Sequence, residues 1–329
     1  MRLSKIRAVT LRLSLDLYVC IGVVIFLSLS PLIYPDYFFI NALYITMVYM
    51  LSALAWNIMG GYTGLISFGH AAFFGVGAYT LALAYNAGVS PWLGFLLSGL
   101  ISLFYASVVG LPLLRLRGHW FALATIAIGE ATKLVFNNWE FVGGNRGIEL
   151  IRKTYSIEWL YFREAIYYNL AALLILTISL VAIYAFLKSR IGYYLQAIRE
   201  SEETSMIIGL NPHKYRYIAM LVSAFFTGIA GALYTIRYRF IDPFAVMDLF
   251  VSVQIALIAI VGGVYSFSGP LIGSIIVVPI AEYARYLIGG TFGARFFGIH
   301  LFIYGIILLI LALFYPGGIY SIIKKSLRE

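Results

Sequence analysis

The sequence consists largely of apolar stretches about twenty residues long, separated by short polar connections. A helix needs about that length to cross a bilayer, whereas a membrane-spanning β-strand needs only about ten residues of alternating polarity. Charged residues make up 11% of the chain, against roughly 25% in soluble domains. The sequence therefore predicts an all-α fold: a polytopic transmembrane helical bundle of about ten helices, forming a single domain over residues 1–329.

The apolar stretches define ten predicted spans. They are Leu17–Tyr34, Phe38–Met59, Leu65–Tyr85, Trp92–Leu114, Trp120–Phe136, Ile166–Leu187, Tyr217–Arg237, Ala245–Val264, Pro270–Ile288 and Phe297–Tyr315. The third of these is rich in glycine and carries His70, so a broken or re-entrant helix is an alternative there.

Lysine and arginine are concentrated in connections that would lie on one side of the membrane, and cytoplasmic loops carry such an excess. This bias predicts that both termini and the segment 188–216 are cytoplasmic and that the loop 137–165 is external. The net charge of +9 is explained by these connections, so no nucleic-acid partner is predicted. Cys20 is the only cysteine, which excludes a disulfide or a cysteine-based metal site within the chain.

The cytoplasmic segment contains a predicted helix over Gln196–Ile208. Gly209 suits a left-handed C-terminal cap, and Pro212 blocks continuation of the helix. A short charged helix across this face suits docking to a soluble partner. From these residues alone, a solvated connection between two spans is the simpler interpretation.

Two ionisable residues lie inside the fifth span. Glu130 is about 16 Å along a helix from His119, near the bilayer centre, and Lys133 lies nearly one turn further on the same side. Such residues are by default a functional hypothesis. The alternatives are an internal ion pair or a lysine that reaches outward to the interface. Gly69 and His70 are further candidate pathway residues, although a structural hydrogen bond from His70 to a backbone carbonyl freed by a helix break is its preferred role.

Small residues recur at helical spacing in two spans, which predicts close helix packing in lipid, with pore lining as the alternative. The two sets are Ser67, Ala71, Gly75 and Ala78, and Ser223, Ala224, Thr227, Gly228, Gly231 and Ala232. The turns Gly60–Gly64 and Gly262–Ser266 each end a span and precede a small-residue helix. They are either an internal repeat or two unrelated glycine turns.

A series of motifs follows a fixed order between Asn41 and Ala284. They are Gly64–Tyr79 (GLISFGHAAFFGVGAY), Leu116–Gly118 with Phe121–Thr125, Ala197–Glu200 (AIRE), Gly209, Ser223–Ala224 with Gly228–Tyr234 (GIAGALY), Pro243, Val261–Val264 and Gly269–Gly273 (GPLIG). In this order they resemble the permease subunits of branched-chain amino-acid ABC importers and their close relatives in urea import.

The resemblance implies a type II-like ABC importer permease in the cytoplasmic membrane. Its implied partners are two ATP-binding cassette subunits, a second homologous permease and an extracytoplasmic substrate-binding protein. The implied contact with the ATPase is a coupling helix that includes Ala197, Ile198, Arg199, Glu200 and Gly209. No phosphate-binding loop of the form Gly-x-x-x-x-Gly-Lys-Ser/Thr occurs in the sequence, so no cofactor is expected in this chain and ATP is expected on the partner subunits.

The expected function is therefore transport of a small amino acid, and a branched-chain amino acid (Leu, Ile or Val) is favoured. Enzymatic catalysis is not expected. Helix N-termini and backbone groups in broken segments are expected to receive the substrate carboxylate. The loop at Val142, Asn145 and Arg146 departs from the family's pattern, so a urea or amide permease stays open. An ion-coupled secondary transporter that uses Glu130 and Lys133 is the competing hypothesis. An intramembrane enzyme is disfavoured, because no catalytic motif is visible.

Overall fold

The computed structural model describes residues 2–116, 118–151, 153–292, 305 and 318–321. The first six helices are α1 (Arg2–Ile33), α2 (Tyr37–Gly60), α3 (His70–Asn86), α4 (Pro91–Leu113), α5 (Gly118–Asn138) and α6 (Ala165–Lys188). They are followed by α7 (Arg190–Glu200), α8 (Glu202–Ile207), α9 (Pro212–Tyr238), α10 (Pro243–Met247), α11 (Leu249–Gly262) and α12 (Ser268–Phe292). Two short strands, β1 (Ile148–Glu149) and β2 (Phe240–Ile241), pair antiparallel.

Seven helices among the described residues are long and apolar enough to cross a membrane, with Pro243–Gly262 counted as one. α3, with 17 residues, is shorter than each of these seven, and α5 carries Glu130 and Lys133 among its apolar residues. The prediction of a polytopic helical protein is confirmed, whereas the number of about ten spans is not. The predicted tenth span, residues 297–315, lies outside the described residues except for Gly305.

Two predicted spans are interrupted in the structure. The span predicted from Leu65 becomes helical only at His70, which agrees with the broken-helix alternative. The span predicted over Ala245–Val264 corresponds to the membrane-length segment Pro243–Gly262, but it consists of two helices that are divided at Asp248. The Asp248 carboxylate accepts a hydrogen bond of 2.9 Å from the amide of Phe250 and thereby caps α11.

The predicted helix over Gln196–Ile208 is also divided, and α7 and α8 meet at Ser201. The Ser201 hydroxyl accepts a hydrogen bond of 3.2 Å from the Thr204 amide, so it caps α8. The chain turns after α8 at Gly209, whose φ of +87° is the left-handed conformation predicted for it. A serine inside a run of good helix formers was the signal for this division.

α3 and α9 pack with their backbones in contact at the centre of the bundle. A Cβ atom at Gly77 would lie 2.2 Å from the carbonyl oxygen of Gly228, and one at Gly231 would lie 1.9 Å from that of Phe74. These distances leave no room for a side chain, so the close approach requires glycine. The packing role predicted for the second small-residue face is confirmed at Gly228 and Gly231, whereas on α3 the closest contacts are with Gly77 and Phe74, which were not in the predicted set.

The bundle has two distinct ends. At one, which we call the turn end, the Gly60–Gly64 and Gly262–Ser266 turns lie with α7. At the other, the loop end, residues 139–164 pack on the connection between α9 and α10 through β1 and β2. The loop predicted to be external and the segment predicted to be cytoplasmic therefore lie at opposite ends of the bundle.

Candidate functional site

The non-helical segment Leu65–Gly69 runs inside the bundle, where its backbone groups need protein partners. The Phe68 amide donates to the Thr125 hydroxyl of α5 at 3.0 Å. The Ala71 amide, in the first turn of α3, donates to the Ser252 hydroxyl of α11 at 2.7 Å. Because Ser252 belongs to the first turn of α11, the N-terminal ends of these two interrupted helices adjoin one another.

A charged cluster lies beside this junction. The Lys133 ammonium group is 2.7 Å from the Glu130 carboxylate on α5 and 3.1 Å from the Asp248 carboxylate at the α10–α11 break. The Lys133 side chain is 11% exposed, and both carboxylates are 39% exposed. The ion pair on α5 was foreseen in the sequence, but Asp248 was not, because it lies 115 residues further along the chain.

The cluster lies at membrane depth. At about 1.5 Å per residue, Lys133 is about 22 Å along α5 from Gly118, and Asp248 is about 21 Å from Gly262 at the end of α11. Both distances fall within a hydrocarbon core of about 30 Å. Contact with lipid would be costly for partly exposed carboxylates at that depth.

His70 is fully buried and hydrogen-bonded through both ring nitrogens. Its Nε2 atom is 2.8 Å from the Ser223 hydroxyl on α9, and its Nδ1 atom is 3.2 Å from the Ser67 hydroxyl. The Ser223 hydroxyl donates its hydrogen to the Ala55 carbonyl, so it accepts from Nε2–H, and a neutral ring then accepts at Nδ1 from the Ser67 hydroxyl. His70 thus joins α9 to the non-helical segment through hydroxyl groups, not through the backbone carbonyl that the sequence suggested.

Gly69 lies directly against α5. A Cβ atom at Gly69 would be 2.8 Å from the Thr125 carbonyl oxygen, and one at Gly129 would be 3.8 Å from the Gly69 Cα. The space beside Gly69 and His70 has a volume of about 10 Å³, at the lower limit for one water molecule. The structure therefore brings the predicted pathway residues into one region around α3 and α5, and that region is closed next to His70.

Among the described residues, no group of three or more histidine, cysteine, aspartate or glutamate side chains is placed to hold a metal ion. The charged cluster has two carboxylates around one ammonium group, so its own cation already occupies the centre. What this arrangement offers is a set of polar partners for a passing solute.

The predicted coupling residues have different surroundings. Ile198 is buried and Ala197 is half-buried, whereas Glu200 and Gly209 are exposed. The largest exposed apolar surface of the segment is at the end of α8, where Ile207 is 84% exposed beside Met206 and Ile208. These three residues were not among the predicted coupling residues, although three successive apolar residues in a charged segment were a visible signal.

Arg199 contacts both glycine turns from α7. Its guanidinium group donates to the Gly61 carbonyl at 3.0 Å and lies 4.6 Å from the centre of the Tyr265 ring. The turns also touch each other, since a Cβ atom at Gly61 would lie 1.9 Å from the Val264 carbonyl oxygen. One side chain of the predicted coupling helix therefore holds the turns that precede α3 and α12.

The chain segments that lead into α3 and α12 are held by consecutive residues of α2. The Trp56 indole donates to the Ser67 carbonyl at 2.6 Å, and the Asn57 amide group donates to the Ser266 carbonyl at 2.9 Å. Each of these serines accepts a hydrogen bond from a backbone amide near the start of the following helix. This parallel favours the internal-repeat interpretation over two unrelated turns.

A membrane bundle with interrupted helices around an internal charged cluster is the architecture of a transporter. The family model for the permease component of branched-chain amino acid transport systems matches residues 38–312, and the chain belongs to that family. It is 30% identical over 276 residues to the high-affinity branched-chain amino acid transport system permease protein LivM of Salmonella typhimurium, covering 74% of this chain and 65% of LivM. LivM of Escherichia coli is also 30% identical, over 277 residues.

The chain thus spans 65% of the length of these LivM relatives. A more distant relative is the nucleoside ABC transporter permease protein NupC of Lactococcus lactis, 22% identical over 72% of this chain and 81% of NupC. The solved structure of PsaBC from Streptococcus pneumoniae in complex with Fab has a TM-score of 0.46 and 13% identity, covering 87% of this chain and 94% of that chain. That likeness is too weak to support an argument.

Proposed function

We propose that this chain is the pore-forming permease subunit of an ATP-driven importer that translocates branched-chain amino acids (Leu, Ile or Val) across the cytoplasmic membrane. The observation that carries the proposal is the junction of α3 and α11 inside the bundle, next to Glu130, Lys133 and Asp248. Transporters place solute sites where discontinuous helices meet near the middle of the membrane. Family membership adds the class of solute and the kind of assembly.

The energy for transport comes from separate subunits in this proposal. The sequence contains no phosphate-binding loop. The apolar end of α8 offers a docking surface for an ATP-binding subunit, and Arg199 carries its movement to the two glycine turns. Because these turns precede α3 and α12, movement of α7 would reach the junction at the charged cluster.

The arrangement also favours an orientation. The turn end, with α7 and α8, faces the cytoplasm together with both termini, and the loop end faces outward to receive a substrate-binding protein. A second, homologous permease completes the pore. The partly exposed Glu130 and Asp248 carboxylates support this, because a space between two permeases would keep them away from lipid.

The class of solute rests on the relatives. The two LivM proteins are named for branched-chain amino acids, whereas the more distant NupC is named for nucleosides. The higher identity to LivM favours an amino acid over a nucleoside.

A second candidate function is an ion-coupled secondary transporter. The observation that favours it is Lys133, held between two carboxylates at membrane depth, since such groups bind and release protons in carriers. In that case the chain would transport its solute alone, without ATP.

Uptake into liposomes separates the two functions. The chain, purified with its partner subunits, is reconstituted, and uptake of radiolabelled leucine delivered by the binding protein is measured with ATP or with a proton or sodium gradient. We expect uptake only with ATP. Uptake by the lone chain under a gradient would establish the secondary transporter, and ATP-driven uptake of another solute instead of leucine would revise the substrate.

A further inference from the structure

A second polar cavity adjoins the charged cluster and is not part of the site described above. It lies between α2, α9, the α10–α11 break and α12, and its volume is about 320 Å³. That volume is within the range of small-molecule sites, about 300–1,000 Å³. Asp248 lines this cavity and also bonds Lys133, so this one residue is common to the cavity and the charged cluster.

The wall formed by α12 carries an ion pair, with Arg285 3.2 Å from the Glu282 carboxylate. The Glu282 side chain is only 9% exposed, whereas the Arg285 side chain is 47% exposed. Two carboxylates, Asp248 and Glu282, and one guanidinium group, Arg285, therefore face the same space. This ion pair does not use all the hydrogen-bond donors of Arg285, because a guanidinium group has five N–H donors.

The rest of the lining is apolar or neutral. Ile45 of α2 and Val251 of α11 are buried hydrophobic residues of the cavity wall, and Gln254 is a buried polar residue in the same wall. A solute that matched this lining would carry an anionic group, a cationic group and an apolar side chain. That description fits a free α-amino acid with an apolar side chain.

The N-terminus of α11 is not open to a substrate carboxylate, contrary to the expectation from the sequence. The Asp248 carboxylate already caps it through the Phe250 amide. A second carboxylate there would be repelled by Asp248. Arg285 is the cation lining the cavity, and guanidinium groups bind carboxylates with two parallel hydrogen bonds.

We propose that this cavity is an amino-acid site within the permease. Arg285 binds the substrate carboxylate, Glu282 and Asp248 accept hydrogen bonds from its ammonium group, and Ile45 and Val251 contact its side chain. This proposal rests on the proposed function and adds to it a solute site with an assigned orientation.

Binding of tritiated leucine to the purified complex, without the binding protein, tests the site. Unlabelled 3-methylbutylamine, which lacks the carboxylate, and 4-methylpentanoate, which lacks the ammonium group, serve as competitors. We expect each to compete at least about tenfold more weakly than leucine, since each loses a charge-assisted hydrogen bond. Arg285→Gln should weaken leucine binding by a similar factor and remove its advantage over 3-methylbutylamine.

The exchange of both charges, Glu282→Arg with Arg285→Glu, keeps an ion pair on α12 but reverses its direction. We expect a loss of at least about tenfold in leucine binding, with normal assembly. Tyr283→Phe, a change at an exposed residue next to Glu282, is the matched control and should bind like the unaltered complex.

Each outcome decides the proposal. Unaltered binding by the exchanged variant would show that the pair is structural and would overturn the site. Leucine uptake driven by ATP without any leucine binding to the complex would overturn the site and leave the proposed function standing. A complex that transports no leucine would overturn the proposed function itself.

Discussion

At the scale of single residues, His70 and Lys133 are both in the interior but have different surroundings. His70 is fully buried, and hydroxyl groups pair both of its ring nitrogens. Lys133 is held by two carboxylates that are themselves partly exposed. A neutral ring with all its hydrogen bonds made stabilises a packed core, whereas a charged group with partly solvated partners is suited to interaction with a solute.

We predict that His70→Ala destabilises the protein. The change removes the bridge between Ser67 and Ser223, and each buried group left without a partner costs about 1–3 kcal/mol. The thermal unfolding midpoint in detergent should fall, whereas His213→Ala, at an exposed histidine, should leave it unchanged. An unchanged midpoint with lost uptake would contradict this account and place His70 in the pathway.

Lys133→Met should reduce leucine uptake at least about tenfold, because it leaves two carboxylates without their cation. A neutral cluster, made by adding Glu130→Gln and Asp248→Asn, removes the repulsion, and asparagine still caps α11. We predict that this triple variant regains the thermal midpoint of the unaltered protein but not its uptake. Recovery of uptake would show that the cluster is only structural.

The sequence was sufficient to find Glu130 and Lys133, because two charges stand out in an apolar span and helical spacing puts them together. It did not reveal Asp248 as their partner, nor Glu282 and Arg285 as neighbours of Asp248. Those relations depend on how helices far apart in the chain pack. No local pattern encodes that packing in a sequence where nearly every span is apolar.

At the scale of elements, the contact between α7 and the two glycine turns is the feature that links docking to the interior. The planar guanidinium group of Arg199 donates a hydrogen bond to the Gly61 carbonyl and also lies over the Tyr265 ring. A lysine has no planar group for both. Arg199 therefore connects α7 to the turns that precede α3 and α12.

We predict that Arg199→Lys uncouples ATP hydrolysis from transport. Coupling free energies between sites usually correspond to about 5–150-fold, so leucine moved per ATP should fall at least about fivefold while hydrolysis continues. Arg190→Lys, at an exposed position at the start of the same helix, is the control and should leave the ratio unchanged. An unchanged ratio in Arg199→Lys would contradict a coupling role for Arg199.

The helices that cross the bundle were predictable from the length of the apolar stretches, but their interruptions were mostly not. Asp248 and Ser201 each stop one helix and cap the next, and each lies in a run that otherwise favours a continuous helix. Asp242 lies directly before α10, which begins at Pro243, just as Asp248 lies directly before α11, which begins at Leu249. This repeated capping pattern was a signal for the division at Asp248. Hydropathy does not reveal this signal, because it identifies an apolar span without showing whether the span is one helix or two.

At the scale of the whole molecule, the features assigned to energy input and to solute binding lie in different parts of the bundle. The docking surface at Ile207 extends from the segment at the turn end, whereas the charged cluster and the amino-acid cavity lie inside, about 20 Å from that end. The two glycine turns lie between them. This separation fits an importer in which a partner subunit does the chemistry and the permease responds by moving helices.

The most direct test of the central claim is purification of this chain from its native membrane in mild detergent, with co-purifying proteins identified by mass spectrometry. Ile207→Glu and Glu203→Gln, both at exposed positions of α8, are purified in parallel. We predict that the unaltered chain and Glu203→Gln recover ATP-binding subunits and a second permease, and that Ile207→Glu loses only the ATP-binding subunits. Repeated recovery of a folded, intact chain alone would contradict the importer and favour the secondary transporter.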